Sequence, residues 1–285
     1  MSDASPLPVV RTVADLRETV SDWRRQGFTV GFVPTMGALH DGHLGLVREA
    51  GQRADRVVAS VFVNPTQFAP HEDLGRYPRQ EAKDAELLEG AGCHLLFAPS
   101  VEGMYPADAS TTITVAGPSE GLEGAARPQM FGGVALVVCK LFNQVQPDLA
   151  VFGEKDWQQL MVVRRMVRDL DIPVEIVGLP TARDGYGLAL SSRNAYLSEA
   201  ELTIARRLNG VLAEAAADAA RGRPVAGVEA AANSALLTAG FQSVDYVVVR
   251  RADDLTAFEG VVDGPARVLA AAWLGKTRLI DNMAV

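Results

Sequence analysis

Cysteine is scarce in this 285-residue chain: Cys93 and Cys139 are its two, far apart and each inside an apolar run. Such a pair suits buried thiols in a reducing cytoplasm and provides no disulfide framework. No uninterrupted apolar run reaches the roughly 18 residues that a membrane span needs. The start, MSDASPLPVV, lacks the basic residues and apolar core of a secretory signal. Positive charge is not in excess either. A net charge of −8 at pH 7 argues against nonspecific binding to nucleic acid or membranes, yet leaves room for a phosphorylated ligand held by a few local donors. Low-complexity tracts and internal repeats are absent. The expectation is a soluble cytoplasmic protein, nearly half apolar, with a sizeable core in one large domain or two smaller ones.

What the sequence does contain is an alternation. Strand-like apolar runs at 29–33, 57–63, 94–98, 149–152 and 174–177 are separated by helical patterns at about 43–53, 80–89, 133–145 and 157–169. This order predicts βαβ units and a parallel sheet covered on both faces, with ligands collecting outside the carboxyl ends of the strands. Polar clusters fall at those ends: HDGH after the first run, residues 64–68 after the second, and 153–159 after the fourth. Past about residue 195 the composition changes. An alanine-rich amphipathic helix is expected over 199–220, capped by Ser198 with Glu201 at the capping-box position. RGRP (221–224) breaks it, and a second helix runs to about Ala239. Two strands follow, at 245–249 and 267–273, separated by a turn-rich stretch with Gly260 and Gly264. The expected domains are 1–182 and 183–285, the smaller α+β domain being attached through SSRN (191–194).

The sharpest local pattern is FVPTMGALHDGHLGLV (32–47). His40 and His43, half of the chain's four histidines, stand three apart at the joint between an apolar run and a helical stretch. Gly37 and Gly42 permit close backbone approach or unusual dihedrals. A helix beginning near Asp41 would aim its unpaired N–H groups and positive dipole end past the sheet edge, with both imidazoles on one face of its first turn. Together these make an anion site, with phosphate as the candidate. An ordinary polar loop fits the same residues. A metal pair is a third reading, though no Glu or further His stands at a zincin-like spacing. A Walker A loop is excluded because GxxxxGK[ST] does not occur.

HDGH after TMGAL resembles the HxGH signature of the nucleotidyltransferase superfamily, which is related to the class I aminoacyl-tRNA synthetases. PTMGALHDGHL, SVFVNPTQF (60–68), RYPR (76–79), FAPSVEGMYP (97–106), KLFNQVQPD (140–148), FGEKDWQQL (152–160) and LALSSRN (188–194) together resemble the pantothenate synthetase family. The likeness runs from about residue 10 to 200, and seven motifs in order are far more specific than one. It implies an α/β fold, with a Rossmann-like parallel-sheet nucleotidyltransferase domain and a smaller C-terminal α+β domain acting as a lid. It further implies ATP-dependent condensation of pantoate with β-alanine to pantothenate, AMP and pyrophosphate, through a pantoyl adenylate. ATP and Mg²⁺, a homodimer, and no nucleic-acid or membrane partner belong to the same expectation.

Alone, Lys155 reads as a solvated charge or as a point charge for a transferring phosphoryl group, and Asp156 as a helix cap. The resemblance sets Lys155 at the phosphate and the carboxyl substrate, and Gly153 and Asp156 at the ribose. With His40, His43, Ser191 and Arg193, Lys155 makes up the implied catalytic set; Met36, Ala182 and Ser192 join Gly153 and Asp156 as ATP contacts. Gln67, Gln159 and Asn64 are implied for pantoate. A neutral amide suits a carboxylate that must act as a nucleophile, because a full positive charge would dull it. SSRN resembles the counterpart of the KMSKS loop. Its two hydroxyls and guanidinium fork in three residues form a pyrophosphate clamp, where a turn or cap is the plainer reading. Asp84 stands where the family has an acidic residue that helps hold magnesium, although EAKDAELLEG also reads as a solvated helix face.

Three positions depart from the family pattern. RPQMFGGV has Met130 where a histidine is usual and Gly132 where a basic residue is common, and Tyr186 replaces the aspartate of Asp-Gly-Leu. These bear on turnover and loop closure more than on reaction class. Two other readings stay open: an HxGH enzyme acting on phosphopantetheine or nicotinate mononucleotide, and a nucleotide-binding regulator without catalysis. A phosphorylated acceptor would call for basic residues where this chain offers Gln67 and Gln159.

Overall fold

The computed structural model describes residues 7–68 and 74–285. They form two compact units: one runs to Glu154 and includes Val162–Leu179, the other comprises Lys155–Met161 and Pro180–Val285.

In the first unit, β1 (Val9–Val10), β2 (Val30–Thr35), β3 (Arg56–Val61), β4 (Leu95–Phe97), β5 (Leu149–Gly153) and β6 (Glu175–Leu179) form one sheet in the order β1-β4-β3-β2-β5-β6. Every pairing is parallel. The helices are α1 (Val13–Arg25), α2 (Asp41–Arg53), α3 (Glu81–Gly90), the short α4 (Val101–Met104) and α5 (Leu122–Ala126), α6 (Met130–Val145) and α7 (Trp157–Asp169), whose first residues, Trp157–Met161, belong to the other unit. Successive strand residues serve opposite faces. Phe32 meets Phe142 of α6 edge to face at 6.3 Å, whereas Val33 packs with Leu46, Val47 and Ala50 of α2. Both faces are therefore dry, which is why the strands read as continuous apolar runs. Strand order reverses at β2, with β3 on one side and β5 on the other, and such a switch point opens a crevice at the carboxyl ends.

The α/β class and parallel sheet agree with the sequence expectation, and the anticipated strands and helices of this unit lie within three residues of the observed ones. β1, α1, α4 and α5 are additions. The α1 signal was present in the sequence: Thr12 caps it, and Val13, Leu16 and Val20 share a helical face.

The second unit contains α8 (Glu199–Ala205), α9 (Arg207–Ala220), α10 (Val225–Ala239) and an antiparallel sheet, β7 (Ser243–Arg251), β8 (Ala266–Leu274) and β9 (Thr277–Ala284), in that order. Leu208, Leu212, Leu236, Val249 and Val268 form the centre of its core. Ser198 and Glu201 make the expected capping box. The single helix expected over 199–220 is two, because the chain turns at Arg206. There the guanidinium bonds Asp184 at 3.2 Å and lies 4.0 Å from the Tyr186 ring centroid. β9 was not anticipated, since TRLIDNMA carries polar residues on the side chains that it buries, Thr277, Asp281 and Asn282 among them.

Among the described residues, no helix is long and apolar enough to cross a membrane. Both cysteines are free thiols; Cys93 is buried, but Cys139 is only half-buried on α6, which corrects the expectation of two buried thiols. Burial pushes the Cys93 thiol up to about 11. Iodoacetamide at pH 8 should therefore modify Cys139 in the native protein and spare Cys93 until the chain is unfolded. Peptide mass spectrometry reads this directly, and equal labelling of the two native thiols would contradict the buried placement.

Candidate active site

The PTMGALHDGH segment leaves β2 at Thr35, whose hydroxyl donates to Ser60 O of β3 at 2.7 Å and accepts from Gly37 N at 3.2 Å. Gly37 (φ 79°) and Ala38 (φ 53°) then turn the chain in the left-handed region. Their neighbour is Asp84 of α3, which is 1% exposed. Its carboxylate accepts from Ala38 N at 3.1 Å and from Leu39 N at 2.9 Å. A Cβ at Gly37 would stand 2.8 Å from Asp84 Oδ2, so turn and carboxylate fit each other closely.

His40 is the N-cap of α2, as expected for a helix starting near Asp41. It forms a reciprocal cap with His43. His40 Nδ1 accepts from Gly42 N at 3.2 Å, and His43 Nδ1 accepts from His40 N at 3.4 Å. The rings lie 4.1 Å apart between centroids. An imidazole nitrogen that accepts carries no proton, so each neutral ring holds its proton on Nε2. The pair thus sets two imidazole rings at a helix N-terminus, where backbone N–H groups and the helix dipole favour anionic oxygen.

A second cluster follows β3. Asn64 caps the short 3-10 turn Pro65–Gln67 and is 1% exposed. Its Nδ2 donates to Gln67 Oε1 at 3.0 Å and to Gly133 O at 3.1 Å. Its Oδ1 accepts from Tyr105 OH at 2.8 Å and from Thr66 Oγ1 at 2.9 Å. Gln67 Nε2 donates to Met36 Sδ at 3.1 Å. Thioether sulfur is a weak acceptor, so a ligand oxygen would be the better partner for that amide. Met36, implied for ATP, thus touches Gln67, implied for pantoate with Asn64. Tyr105, Thr66 and Gly133 were missed: a Cβ at Gly133 would lie 2.5 Å from Thr66 O and 2.6 Å from Thr66 C, so glycine alone lets α6 meet this turn.

The remaining candidates occupy other places. Gly153 ends β5 in the first unit. Lys155 and Asp156 form a 3-10 turn leading into α7, with Nζ 3.6 Å from Asp156 Oδ1; Gln159 follows half-buried on that helix. Ser191 caps the turn Ser192–Tyr196 by accepting from Arg193 N at 3.3 Å. Ala182 is exposed, and its carbonyl accepts from Leu190 N at 2.8 Å. Among the departures, Met130 is buried and accepts from Arg127 Nη1 at 2.8 Å. Gly132 has Ile113 O 3.4 Å from where its Cβ would be. Tyr186 is 72% exposed.

Among the described residues, no group of three or more His, Cys, Asp or Glu side chains is placed to hold a metal ion. Asp84, the one residue considered for magnesium, uses both oxygens on backbone N–H groups in a buried place. Asp84 anchors the loop through these two bonds.

A parallel sheet with its switch point at β2, and a histidine pair capping the helix behind that strand, are arranged as the resemblance to the HxGH proteins implies. More narrowly, the chain belongs to the Pantoate-beta-alanine ligase family, whose profile matches residues 8–284. It is 62% identical to the pantothenate synthetase of Caulobacter vibrioides over 283 residues, 99% of either chain. It is 60% identical to that of Mesorhizobium japonicum, over 97% of each. Among solved structures, the pantothenate synthetase of Thermus thermophilus superposes with a TM-score of 0.90 at 48% identity, covering 97% of this chain and 99% of that one. The pantoate-beta-alanine ligase of Francisella tularensis, complexed with beta-gamma ATP and beta-alanine, gives 0.80 at 31% identity, covering 98% and 97%.

Two substitutions check the geometry. Asp84→Asn leaves one acceptor for two buried N–H groups and should cost about 1–3 kcal/mol in a urea unfolding curve. Gly133→Ala drives a methyl into the Thr66 carbonyl and should cost about 1–3 kcal/mol by overpacking. A wild-type unfolding midpoint in either variant would show that the corresponding contact is wrong.

Proposed function

We propose that the chain condenses pantoate with β-alanine at the expense of ATP, giving pantothenate, AMP and pyrophosphate. The observation that carries this reading is the reciprocal His40–His43 cap on a chain of this family. The pantoate carboxylate attacks the α-phosphorus, pyrophosphate leaves, and a pantoyl adenylate forms. The β-alanine amine then attacks the acyl carbon, AMP departs, and the amine gives up its proton. No covalent enzyme nucleophile is involved, so rate enhancement comes from positioning and charge stabilisation.

In this reading His40 and His43 donate from Nε2 to phosphate oxygens, and the Lys155 ammonium balances charge growing on the α-phosphate. Ser191, Ser192 and Arg193 hold the departing pyrophosphate, a match of guanidinium fork to phosphate oxygen. Gly153 and Asp156 take the ribose, with Met36 and Ala182 also against ATP. Gln67 and Gln159 bind pantoate through neutral amides, which leave its carboxylate nucleophilic; Asn64, loaded by Tyr105 and Thr66, fixes the Gln67 amide. ATP is taken as its magnesium complex, with the ion on the phosphates. The enzyme is read as a cytoplasmic homodimer.

Pyrophosphate exchange into ATP tests the reading. Exchange should depend on pantoate; exchange driven by phosphopantetheine, or none with any acceptor, would overturn it. Lys155→Ala should remain folded by circular dichroism and lose roughly 10²–10³-fold in exchange rate, and a wild-type rate would remove Lys155 from the phosphate.

A further inference from the structure

Within the second unit, the backbone at Lys155 is gripped by the last strand. Asn282 Nδ2, on β9, donates to Lys155 O at 2.8 Å across 127 positions of sequence. Asn282 is 3% exposed, and its Oδ1 accepts from Nη1 of Arg267 on the neighbouring strand β8. Arg267 is itself buried, at 8% exposure, with its guanidinium 3.5 Å from the ring centroid of Trp157. Trp157, two residues past Lys155, donates through Nε1 to Ala252 O at 3.0 Å.

The preceding residue of β9 holds a second segment. Asp281 accepts from Arg183 Nη1 at 2.6 Å and Nη2 at 3.0 Å, and from Asn282 N at 2.8 Å. Arg183 Nη2 also reaches Asn282 O at 3.3 Å. Adjacent residues of one strand thus fix both the start of α7 and the segment that leads to Ser191–Arg193.

Burying an asparagine and an arginine in a strand pair is unfavourable unless each polar atom is satisfied. A valine or leucine would serve the core at lower cost. What these residues add is a fixed position for the Lys155 carbonyl. A lysine ammonium on four flexible methylenes is only as well placed as its own Cα, and an error of about 1 Å in a reacting group costs on the order of 10²-fold in rate.

We propose that Asn282, oriented by Arg267, is a positioning residue for Lys155: its amide bridges the buried guanidinium and the Lys155 carbonyl, and so sets where the Lys155 ammonium stands. This rests on the phosphate role proposed for Lys155. Asn282→Asp isolates the link, because the carboxylate still accepts from Arg267 but offers oxygen, not N–H, to the Lys155 carbonyl. Pantoate-dependent pyrophosphate exchange and thermal unfolding are measured for the wild type, Asn282→Asp, Lys155→Ala and the double variant.

The expected Asn282→Asp protein stays folded but unfolds below the wild-type temperature, because a buried carboxylate oxygen faces the Lys155 carbonyl, with kcat lowered about 10–100-fold and KM for ATP and pantoate changed less than about 3-fold. In the Lys155→Ala background the same change should cost less than about 2-fold more, the non-additivity of two residues acting as one unit. A wild-type kcat in Asn282→Asp, or an equal loss in both backgrounds, would overturn the proposal. Wild-type exchange in Lys155→Ala is a different result, which removes the phosphate role itself. Asn282→Ala, lacking the donor and adding no charge, is measured alongside and judged by the same criteria should Asn282→Asp fail to fold.

Discussion

The backbone N–H groups between β2 and α2 must find acceptors, and that requirement shapes the first unit. A chain leaving a buried strand and entering a helix exposes several such donors together. Asp84 takes two, at Ala38 and Leu39, and the imidazoles of His40 and His43 take those of Gly42 and His40. The histidines are therefore structural caps, and the donor role proposed for them uses the same two rings. Accepting at Nδ1 is what fixes the proton on Nε2, so the packing of the helix end sets the chemistry of the rings.

The cluster after β3 follows a different rule. Met36, Asn64, Thr66, Gln67 and Tyr105 are joined by hydrogen bonds among neutral groups. Burial raises the Tyr105 phenol above its ordinary range, and so keeps it protonated as a donor. An amide relay of this kind can orient hydroxyl and carboxylate oxygens, with the Lys140 ammonium 5.9 Å from the Tyr105 ring centroid as a nearby positive charge. Met130 sits beside this turn through Arg127, which donates both to its sulfur and to Gln67 O at 3.3 Å. The departure at Met130 thus has a structural place: the thioether accepts from Arg127, the neighbour that braces the turn.

Much of the fold was legible because its elements carry local signals. Strands 2 to 6 are apolar runs, α2 has its histidine caps, and Ser198 with Glu201 announces α8. Other features carried weaker signals or none. β9 alternates polar and apolar residues and buries some of the polar ones, so it does not read as an apolar run. At the break, Arg206 contacts Asp184 and Tyr186, some 20 residues earlier. Among the candidate residues, HDGH, EKDWQQ and SSRN are contiguous words. Gly133, by contrast, matters only through a turn 66 or more positions upstream, and Asn282 through a carbonyl 127 positions away.

Sequence by itself determined the fold class and the ligand chemistry. Hydrophobic periodicity states which face each element buries, and a residue's donors and acceptors are properties of its type. Tertiary structure decided which of those groups are used for support and which are presented. Asp84 is a carboxylate in either view, but only the packing of α3 against the Gly37–Leu39 turn makes it a loop anchor. Likewise Asn282 is one polar residue in an unremarked strand until the β8–β9 pairing brings it beside Arg267 and the Lys155 carbonyl. Hydrogen bonds are short and directional, so their partners are chosen by the final coordinates and leave no periodic trace in the chain.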